Sequence, residues 1–370
     1  MGKTPLYRQV AEAVQKEIRQ GRWPVGAVLP TEVELSQTFG VARSTVREAI
    51  RTLQAQGYVE RRRRAGTFVL TNMPGVIGRS FVGLVVAHLY DVRLSRTLHG
   101  LQAELDRAGL RLEVRSTEDV ADAEGQAVAS LRAEGASGVF VEPAPGWPAR
   151  ELYRRYMDEG YPIVFLDRGD PELAVPTVST DNRGGGLTLA RHLLACGHRR
   201  IGFVLPRSYP TTSVAERVAG YQSALEEGGL DPDPGLVVQP EGPLLDPIED
   251  ALHRAVDRLL ALPRSQRPSA LMCSNDELAS WVIAILKQTG LQVPTDISVT
   301  GYDDLEYAAR LDPPLTTVRQ PLEELGRTAA RTMASMLAAD NNQAASTVLP
   351  VHLAVRRSSG RASASGQAAV

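Results

Sequence analysis

The feature that most limits the fold is a rhythm that begins near Phe81: short apolar runs alternate with stretches of helical periodicity, pass by pass, for over half the chain. Val82-Gly-Leu-Val-Val-Ala87 is a continuous apolar run, as in a strand covered on both faces. A helix follows, with Leu98, Leu101 and Leu105 on one side and Gly109 at its end. Then come Leu110 to Ser116, a helix through Leu131, Gly138-Val-Phe-Val141, a helix near 148–160 and Pro162-Ile-Val-Phe-Leu166. After Asp181 the rhythm restarts: helix 184–196, Arg200 to Leu205, helix 214–227, Leu236 to Gln239, a helix near 248–262, Ala270 to Cys273, helix 276–289 and Ile297 to Tyr302. Strands joined through helices must run parallel, with helices on both faces. Two such series in succession predict an α/β body of two lobes, each an open parallel sheet, with a cleft between them.

Ligands of open α/β sheets bind outside the carboxyl ends of the strands. The first strand is followed by His88, Tyr90 and Asp91, the third by Glu142 and the fourth by Asp167 and Arg168. In the second series Arg217 is expected to open a helix, Asn275 and Asp276 follow Cys273, and Asp303 with Asp304 follow Tyr302. Carboxylates, an amide and arginines together can accept from and donate to vicinal hydroxyls, which is how a sugar is held. Taken singly these residues have plainer readings: Ser274 to Glu277 has the form of a capping box, Asp303-Asp304 can cap a helix, and Asp167 can be structural.

The first seventy residues differ in charge. Residues 1–72 hold twelve Lys and Arg against six Glu, so a surplus of six positive charges sits in a chain whose net charge is −2, and the remainder carries eight negative ones. A small basic segment on a large acidic one predicts a polyanion-binding module joined to a domain of another kind. Pro5 opens a helix over 5–20 with Leu6, Val10, Val14 and Ile18 in register and Gly21 at its end. Thr31 and Glu34 form a capping box for a second helix, which turns Leu35 and Phe39 inward and stops at Gly40. In a third helix Val46, Ala49, Ile50 and Leu53 make an apolar stripe, while Arg43, Ser44, Arg47, Arg51 and Gln54 fall on the opposite face. Thr45 and Glu48 have capping-box spacing, which would start that helix at Thr45 and leave Arg43 and Ser44 at its edge. Tyr58 to Val69, with Arg61 to Arg64 and Gly66 at its turn, reads as a basic hairpin. Helix, helix, turn, helix and hairpin is the order of a winged helix-turn-helix.

Leu29-Pro-Thr-Glu-x-Glu-Leu35, Phe39-Gly-Val-Ala-Arg-Ser-Thr-Val-Arg-Glu-Ala49, Gly57-Tyr-Val-Glu-Arg61 and Gly66-Thr-Phe-Val69 resemble the GntR family over about residues 4–70. The resemblance implies that Arg43, Thr45 and Arg47 meet DNA, Arg43 at base edges and Arg47 at a phosphate or guanine. Ser44, Arg63, Arg64 and Gly66 complete the expected DNA-binding set. Val33 stands where that family often has Arg, and Arg64 where its wing usually has Gly, which points to an Arg side chain at the wing tip.

Val178-Ser-Thr-Asp-Asn-Arg-Gly-Gly185, His192-Leu-Leu-x-x-Gly-His-Arg-Arg-Ile-Gly202, Arg217-Val-Ala-Gly-Tyr221, Ser274-Asn-Asp-Glu277, Val293 to Asp304 and Pro313-Pro-Leu-Thr-Thr-Val-Arg-Gln-Pro321 are similar to the effector domain of the LacI/GalR family over roughly 81–357. By that resemblance Arg217, Asn275 and Asp303 match sugar-contacting positions and Asp167 with Arg168 a contact pair; His88, Asp91 and Glu142 join the expected ligand set. A GntR-type head on a LacI-type body resembles the arabinose-responsive repressors, although Val92-Arg93-Leu94 replaces the aromatic ring that often follows the first strand of such bodies. The expected organisation is a DNA-binding head over 1–70, a linker over 71–80, a sugar-binding and dimerisation body over 81–357 and a disordered tail over 358–370. The expected function is a homodimeric repressor of carbohydrate utilisation, released from double-stranded operator DNA when arabinose or a related pentose binds. A nucleoside or phosphorylated sugar is the alternative effector.

Other classes fit less well. GntR heads also occur on pyridoxal-phosphate aminotransferase-like domains, but that chemistry needs a Schiff-base Lys, and of Lys3, Lys16 and Lys287 only the last lies in the body. No Ser/His/Asp order or paired acid and base outweighs binding, so no enzymatic activity and no cofactor are expected. Gly184-Gly-Gly186 lacks the Lys-Ser/Thr of a phosphate loop. Cys196 and Cys273 lack further ligands at metal spacing and read as free thiols of a cytoplasmic protein. Neither a leading apolar run nor a bilayer-length stretch is present, so a cytoplasmic location away from membranes is expected.

Overall fold

The computed structural model describes residues 5–55, 57–62, 66–70, 81–118, 120, 122–207, 210–242, 248–339 and 344–362. The chain separates into two compact units, an N-terminal one built on Met1–Val82 and a larger one that holds Gly138–Val370. Each is described by itself.

In the head, α1 (Leu6–Arg19), α2 (Glu32–Phe39) and α3 (Arg43–Ala55) precede the antiparallel hairpin β1 (Val59–Arg62) and β2 (Gly66–Val69). Val10, Val14 and Ile18 of α1, Leu35 of α2 and Val46, Ala49, Ile50 and Leu53 of α3 bury the predicted stripes in one core with Tyr58 and Val69. The capping box at α2 forms as the sequence requires: Glu34 N donates to Thr31 Oγ1 and Thr31 N to Glu34 Oε2. The Thr45–Glu48 box does not. Helix α3 begins at Arg43, because the Ala42 carbonyl accepts from both Thr45 N (2.9 Å) and Val46 N (3.2 Å). Arg43 and Ser44 thus lie in the first helical turn. Val28 adds a bridge to Phe68 on the free edge of the hairpin. The expected linker over 71–80 and the wing tip at Arg63 and Arg64 lie outside the described residues.

The body contains the two expected lobes. Its elements are β3 (Phe81–Val86), α4 (Val92–Arg107), β4 (Arg111–Ser116), α5 (Ala123–Ala133), β5 (Val139–Val141), α6 (Arg150–Asp158), β6 (Ile163–Leu166) and β7 (Thr177–Thr180). The second lobe follows with α7 (Asn182–Ala195), β8 (Ile201–Val204), α8 (Thr212–Glu227), β9 (Val237–Val238), α9 (Ile248–Leu260), β10 (Ala270–Cys273), α10 (Asp276–Gln288), β11 (Ser298–Asp303) and β12 (Thr316–Arg319). After them come α11 (Leu322–Ala339), β13 (Thr347–Leu349) and β14 (His352–Ala354). One six-stranded sheet runs β13-β7-β6-β5-β3-β4 and the other β14-β12-β11-β10-β8-β9. Strands β13, β7, β6, β5 and β3 run parallel in the first, and β12, β11, β10, β8 and β9 in the second, where β14 is antiparallel to β12.

The period of two along each strand decides which helices it meets. In β10, Ala270 and Met272 face a core shared with α7 and α8, whereas Leu271 and Cys273 face one shared with α9 and α10. The lobes are not two consecutive halves, however. The chain crosses between sheets at Asp181, at Gln320-Pro321 and again between β13 and β14, so the first lobe is completed by α11 and β13 from the far end of the sequence. Nor does order stop at 357. Ser358 is buried, donates to the Val299 carbonyl (2.6 Å) and accepts from Thr316 N (2.8 Å), and Ala362 N reaches Cys196 O. No helix is long and apolar enough to cross a membrane.

Candidate effector cleft and nucleic-acid interface

On the head, Arg43, Ser44 and Arg47 are exposed on α3 and Thr45 is half-buried in its first turn. Arg47 Nε and Nη2 donate to Glu32 Oε2 (3.2 and 3.0 Å), and Arg61 Nη1 lies 3.5 Å from Glu32 Oε1. One carboxylate at the start of α2 therefore sets both the helix and the hairpin arginine. The guanidinium of Arg62 lies 4.6 Å from the Phe68 ring centre. Gly66 is exposed with φ +109°, and a Cβ there would come within 2.9 Å of Val28 Cγ1, so the start of β2 has no room for a side chain.

In the body, the strand ends converge as expected. Asp91 precedes α4 and accepts from Arg93 N (2.9 Å), Arg93 Nε (3.2 Å) and Arg93 Nη2 (2.7 Å). Arg93 also lies 3.5 Å from Glu142 and 3.9 Å from Asp167, and Arg168 pairs with Glu142. From the second lobe, Ser213 Oγ donates to Asp167 Oδ2 (3.1 Å). Asp303 Oδ1 accepts from Gln320 Nε2 (2.6 Å), whose Oε1 accepts from Thr180 Oγ1 (2.6 Å), so that carboxylate is tied to two of the inter-lobe crossings. Asp167, Asp303 and Asp304 hold positive φ angles of 64°, 118° and 54°. Strain of this kind at non-glycine residues persists where the surroundings fix it, and it gathers at binding sites.

Arg217 is not at a helix start. It sits in the second turn of α8, 3% exposed, with its guanidinium 3.8 Å over the Tyr302 ring. Nε donates to Asn182 Oδ1 (2.8 Å) and Nη1 to the Ser274 carbonyl (2.7 Å), while Nη2 is buried with no hydrogen-bond acceptor among the described residues. A buried donor without an acceptor is costly; Arg217 itself does not line the inter-lobe cavity. The glycines at 184–186 belong to this packing. A Cβ on Gly186 would fall 2.3 Å from Arg217 O, and Gly184 N is capped by Asp181. Asn275, not Ser274, caps α10, with its Oδ1 accepting from Leu278 N, so its amide nitrogen is what it offers the cleft.

A cavity of about 460 Å³ opens between the lobes, lined by Asp91, Arg93, Asn275, Trp281, Asp303 and Tyr307. His88 stands apart from it, stacked on Tyr90 (4.7 Å) and 3.6 Å from Glu118. Arg93, Trp281, Tyr307 and Gln320 were outside the expected set. Trp281 lies mid-helix and Tyr307 beyond any strand end, so strand-end reasoning passes over both. Arg93 was legible as the departure from an aromatic.

Burial raises the carboxyls here, and the arginines oppose it. At Asp91, Arg93 outweighs burial and holds the group below its ordinary value. At Asp167, Arg93, Arg168 and Arg217 do the same. At Asp303 burial wins, and the carboxyl is pushed up to about 6. Asp276, wholly buried under Asp303, is pushed up to about 8 by burial and by that neighbour, despite bonds from Thr317 and Leu305 N. Four carboxylates, Asp91, Glu142, Asp167 and Asp303, thus face three arginines, 93, 168 and 217. Among the described residues no group of His, Cys, Asp and Glu could hold a metal ion, and Cys196 and Cys273 are free.

Residues 6–69 match the family model of bacterial regulatory proteins, gntR family, and residues 190–359 that of a periplasmic binding protein-like domain. The arabinose metabolism transcriptional repressor of Geobacillus stearothermophilus is 30% identical over 342 residues, 90% of this chain and 91% of its own length. The crystal structure of transcription regulator GntR from Chromobacterium violaceum superposes with a TM-score of 0.65 at 28% identity, covering 75% of this chain and 99% of that one. A transcriptional regulator CelR–cellobiose complex does so with 0.65 at 26% identity, over 89% and 100%. These relatives are regulators rather than enzymes, which sets aside the pyridoxal-phosphate reading. The chain belongs to the family of small-molecule-responsive transcriptional repressors in which a GntR-type winged helix-turn-helix head is joined to a LacI-type, periplasmic-binding-protein-like body.

Proposed function

We propose that this repressor is released from its operator by a neutral monosaccharide, L-arabinose or a related pentose, bound in the inter-lobe cavity. The observation that carries the reading is the lining of that cavity: Asp91, Arg93, Asn275 and Asp303 supply acceptors and donors, while Trp281 and Tyr307 supply flat apolar faces. A sugar has the same division, hydroxyls at its edge and C–H groups on its face. The charged groups of the lining are Asp91, Glu277 and Asp303 against Arg93, so the cavity has no positive surplus for a phosphate, which favours an uncharged ring over a phosphorylated one. The arabinose named for the Geobacillus relative supports the pentose.

In this reading Arg43, Ser44, Thr45, Arg47 and the wing with Arg63, Arg64 and Gly66 bind operator DNA. Asp91, Asn275 and Asp303 line the effector cavity, and Glu142, Asp167, Arg168 and Arg217 act from behind it by holding its wall in place. His88, which borders only the neighbouring cavity, is left out of the effector set. The protein acts as a cytoplasmic homodimer, its head within residues 1–70 and its body from 81. The sugar need only favour the DNA-free state over the bound one. The test is a thermal-shift panel of pentoses and hexoses, L-arabinose first, followed by operator anisotropy with each sugar that shifts. Stabilisation by L-arabinose with release of DNA is expected. A panel without any shift overturns the sugar assignment.

A further inference from the structure

Three cavities in the body share one wall. Asp91 and Arg93 line the inter-lobe cavity of about 460 Å³, a second of about 150 Å³ within the first lobe and a sliver of about 30 Å³ beside Thr97 and Leu322. The second is bounded further by Glu124, Glu142, Ala144 and Arg168. We infer that Arg93 is a specificity-determining partition, which confines the effector to a single sugar ring by closing off the side cavity behind it. The inference rests on the sugar reading of the inter-lobe cavity.

The wall is built to stay. Arg93 is anchored to Asp91 through its backbone N–H, Nε and Nη2, and Glu142 and Asp167 hold its far end at 3.5 and 3.9 Å. Asp91 first, then Glu142, Asp167 and Asp303 keep it protonated far above its ordinary range. Swinging it aside would leave Asp91 without its cation and Glu142 and Asp167 to Arg168 alone in a largely buried site, which costs far more than breaking an exposed pair would. The space behind is suited to a second ring. At about 30 Å³ per water it holds on the order of five waters, and its wall is polar, with Arg168 Nε buried without a hydrogen-bond acceptor among the described residues. Glu124 accepts from Tyr153 OH and from Ala144 N. A disaccharide laid through both cavities would have to pass the position of the Arg93 guanidinium.

The experiment is titration calorimetry on the full chain with L-arabinose and with α-1,5-linked L-arabinobiose. Wild type should favour the monosaccharide by about tenfold or more, and Arg93→Ala should move that ratio about tenfold or more toward the disaccharide. Because Arg93→Ala leaves Asp91 without its paired cation, Asp91→Ala/Arg93→Ala, which removes one charge of each sign, provides the same test if the single variant does not fold. Ala144→Leu added to either variant refills the side cavity; it should cancel the disaccharide gain and leave the L-arabinose affinity of its parent unchanged. A ratio unmoved by the Arg93 substitutions while L-arabinose still binds overturns the partition and spares the sugar reading. So does a wild type that takes both sugars equally. A wild type that binds neither brings down both.

Discussion

Arg47 in the head and Arg93 in the cleft make the same bond, a guanidinium against a carboxylate through Nε and Nη2, in opposite surroundings. The Arg47 side chain is 50% exposed and, among the described residues, pairs with Glu32; that of Arg93 is 24% exposed and answers to Asp91, Glu142 and Asp167 together. An exposed pair contributes little, on the order of 0–1 kcal/mol, and is screened by salt. It can be traded for a phosphate at small cost. A withdrawn cluster cannot be traded piecemeal, because each charge is there on condition of the others. One chemistry thus yields a head whose charges are on loan from its surface and a cleft whose charges fix a shape.

Salt separates the two most widely. If Arg43, Arg47 and the wing act on phosphates, operator affinity should fall by about 10³-fold or more between 50 and 200 mM salt. Effector affinity should change by less than about twofold over the same range, since buried pairs are poorly screened. Arg47→Ala should reduce the slope of log K against log salt by about one per head and leave sugar binding alone. Anisotropy and calorimetry on one preparation decide this; an effector affinity that tracks salt as DNA binding does would erase the contrast.

The next effect is local to the cleft. Asp303 is 1% exposed and bonded to Gln320, and removing one partner from such a buried network leaves the other unsatisfied. Asp303→Ala should weaken the effector by roughly 100-fold, about 3 kcal/mol, while operator binding without sugar persists. Full release of the variant at wild-type sugar concentrations would remove Asp303 from the site.

The two regions also differed in how far they could be read from sequence. The head was legible almost residue by residue, because its elements are adjacent in the chain and each stripe, cap and turn is a local signal. Among its described residues the helix start at Thr45 was misread, because Ala42 can offer only a carbonyl and no side chain to betray it. In the body the alternation of strands and helices was equally plain, and so were the charges at strand ends. What was hidden was long-range: α11 and β13 returning to the first lobe, Gln320 meeting Asp303, and Trp281 and Tyr307 brought to the cavity by packing rather than by periodicity. Glycines 184–186 showed only as a composition; the close approach of Asp181 to Gly184, Tyr302 to Gly185 and the Arg217 carbonyl to Gly186 explains them.

Proton linkage sharpens the contrast further. The Asp303 carboxyl at about 6 and the Asp276 carboxyl at about 8 are raised above the ordinary value of 3.8. A raised acid binds more protons folded than unfolded, so its contribution makes the body less stable as pH rises from about 4 through those two values. Melting of the body should therefore come at lower temperature at pH 8 than at pH 6, and Asp276→Asn should flatten the difference. Effector binding has the opposite sign. A hydroxyl donated to Asp303 needs the ionised form, so sugar affinity should fall by up to about tenfold from pH 7 to pH 5. Sugar affinity independent of pH across that range would mean that Asp303 does not accept from the ligand.

The smallest effect tests whether the head's charges are loosely held after all. Thr31 and Glu34 close the start of α2 reciprocally, and the backbone and hydroxyl of Thr31 hold Glu34 below its ordinary value. Between them lies Glu32, the platform for Arg47 and Arg61. Thr31→Ala should lower head stability by about 1 kcal/mol, the usual worth of such a cap. Because the Arg47 pair is exposed and readily exchanged for phosphate, operator affinity should change by no more than about threefold. Denaturant titration of the full chain beside anisotropy reads both. A loss of operator affinity as large as that of Arg47→Ala would show that Glu32 must be fixed for the arginines to reach DNA, and the head would then share the cleft's dependence on a preset arrangement.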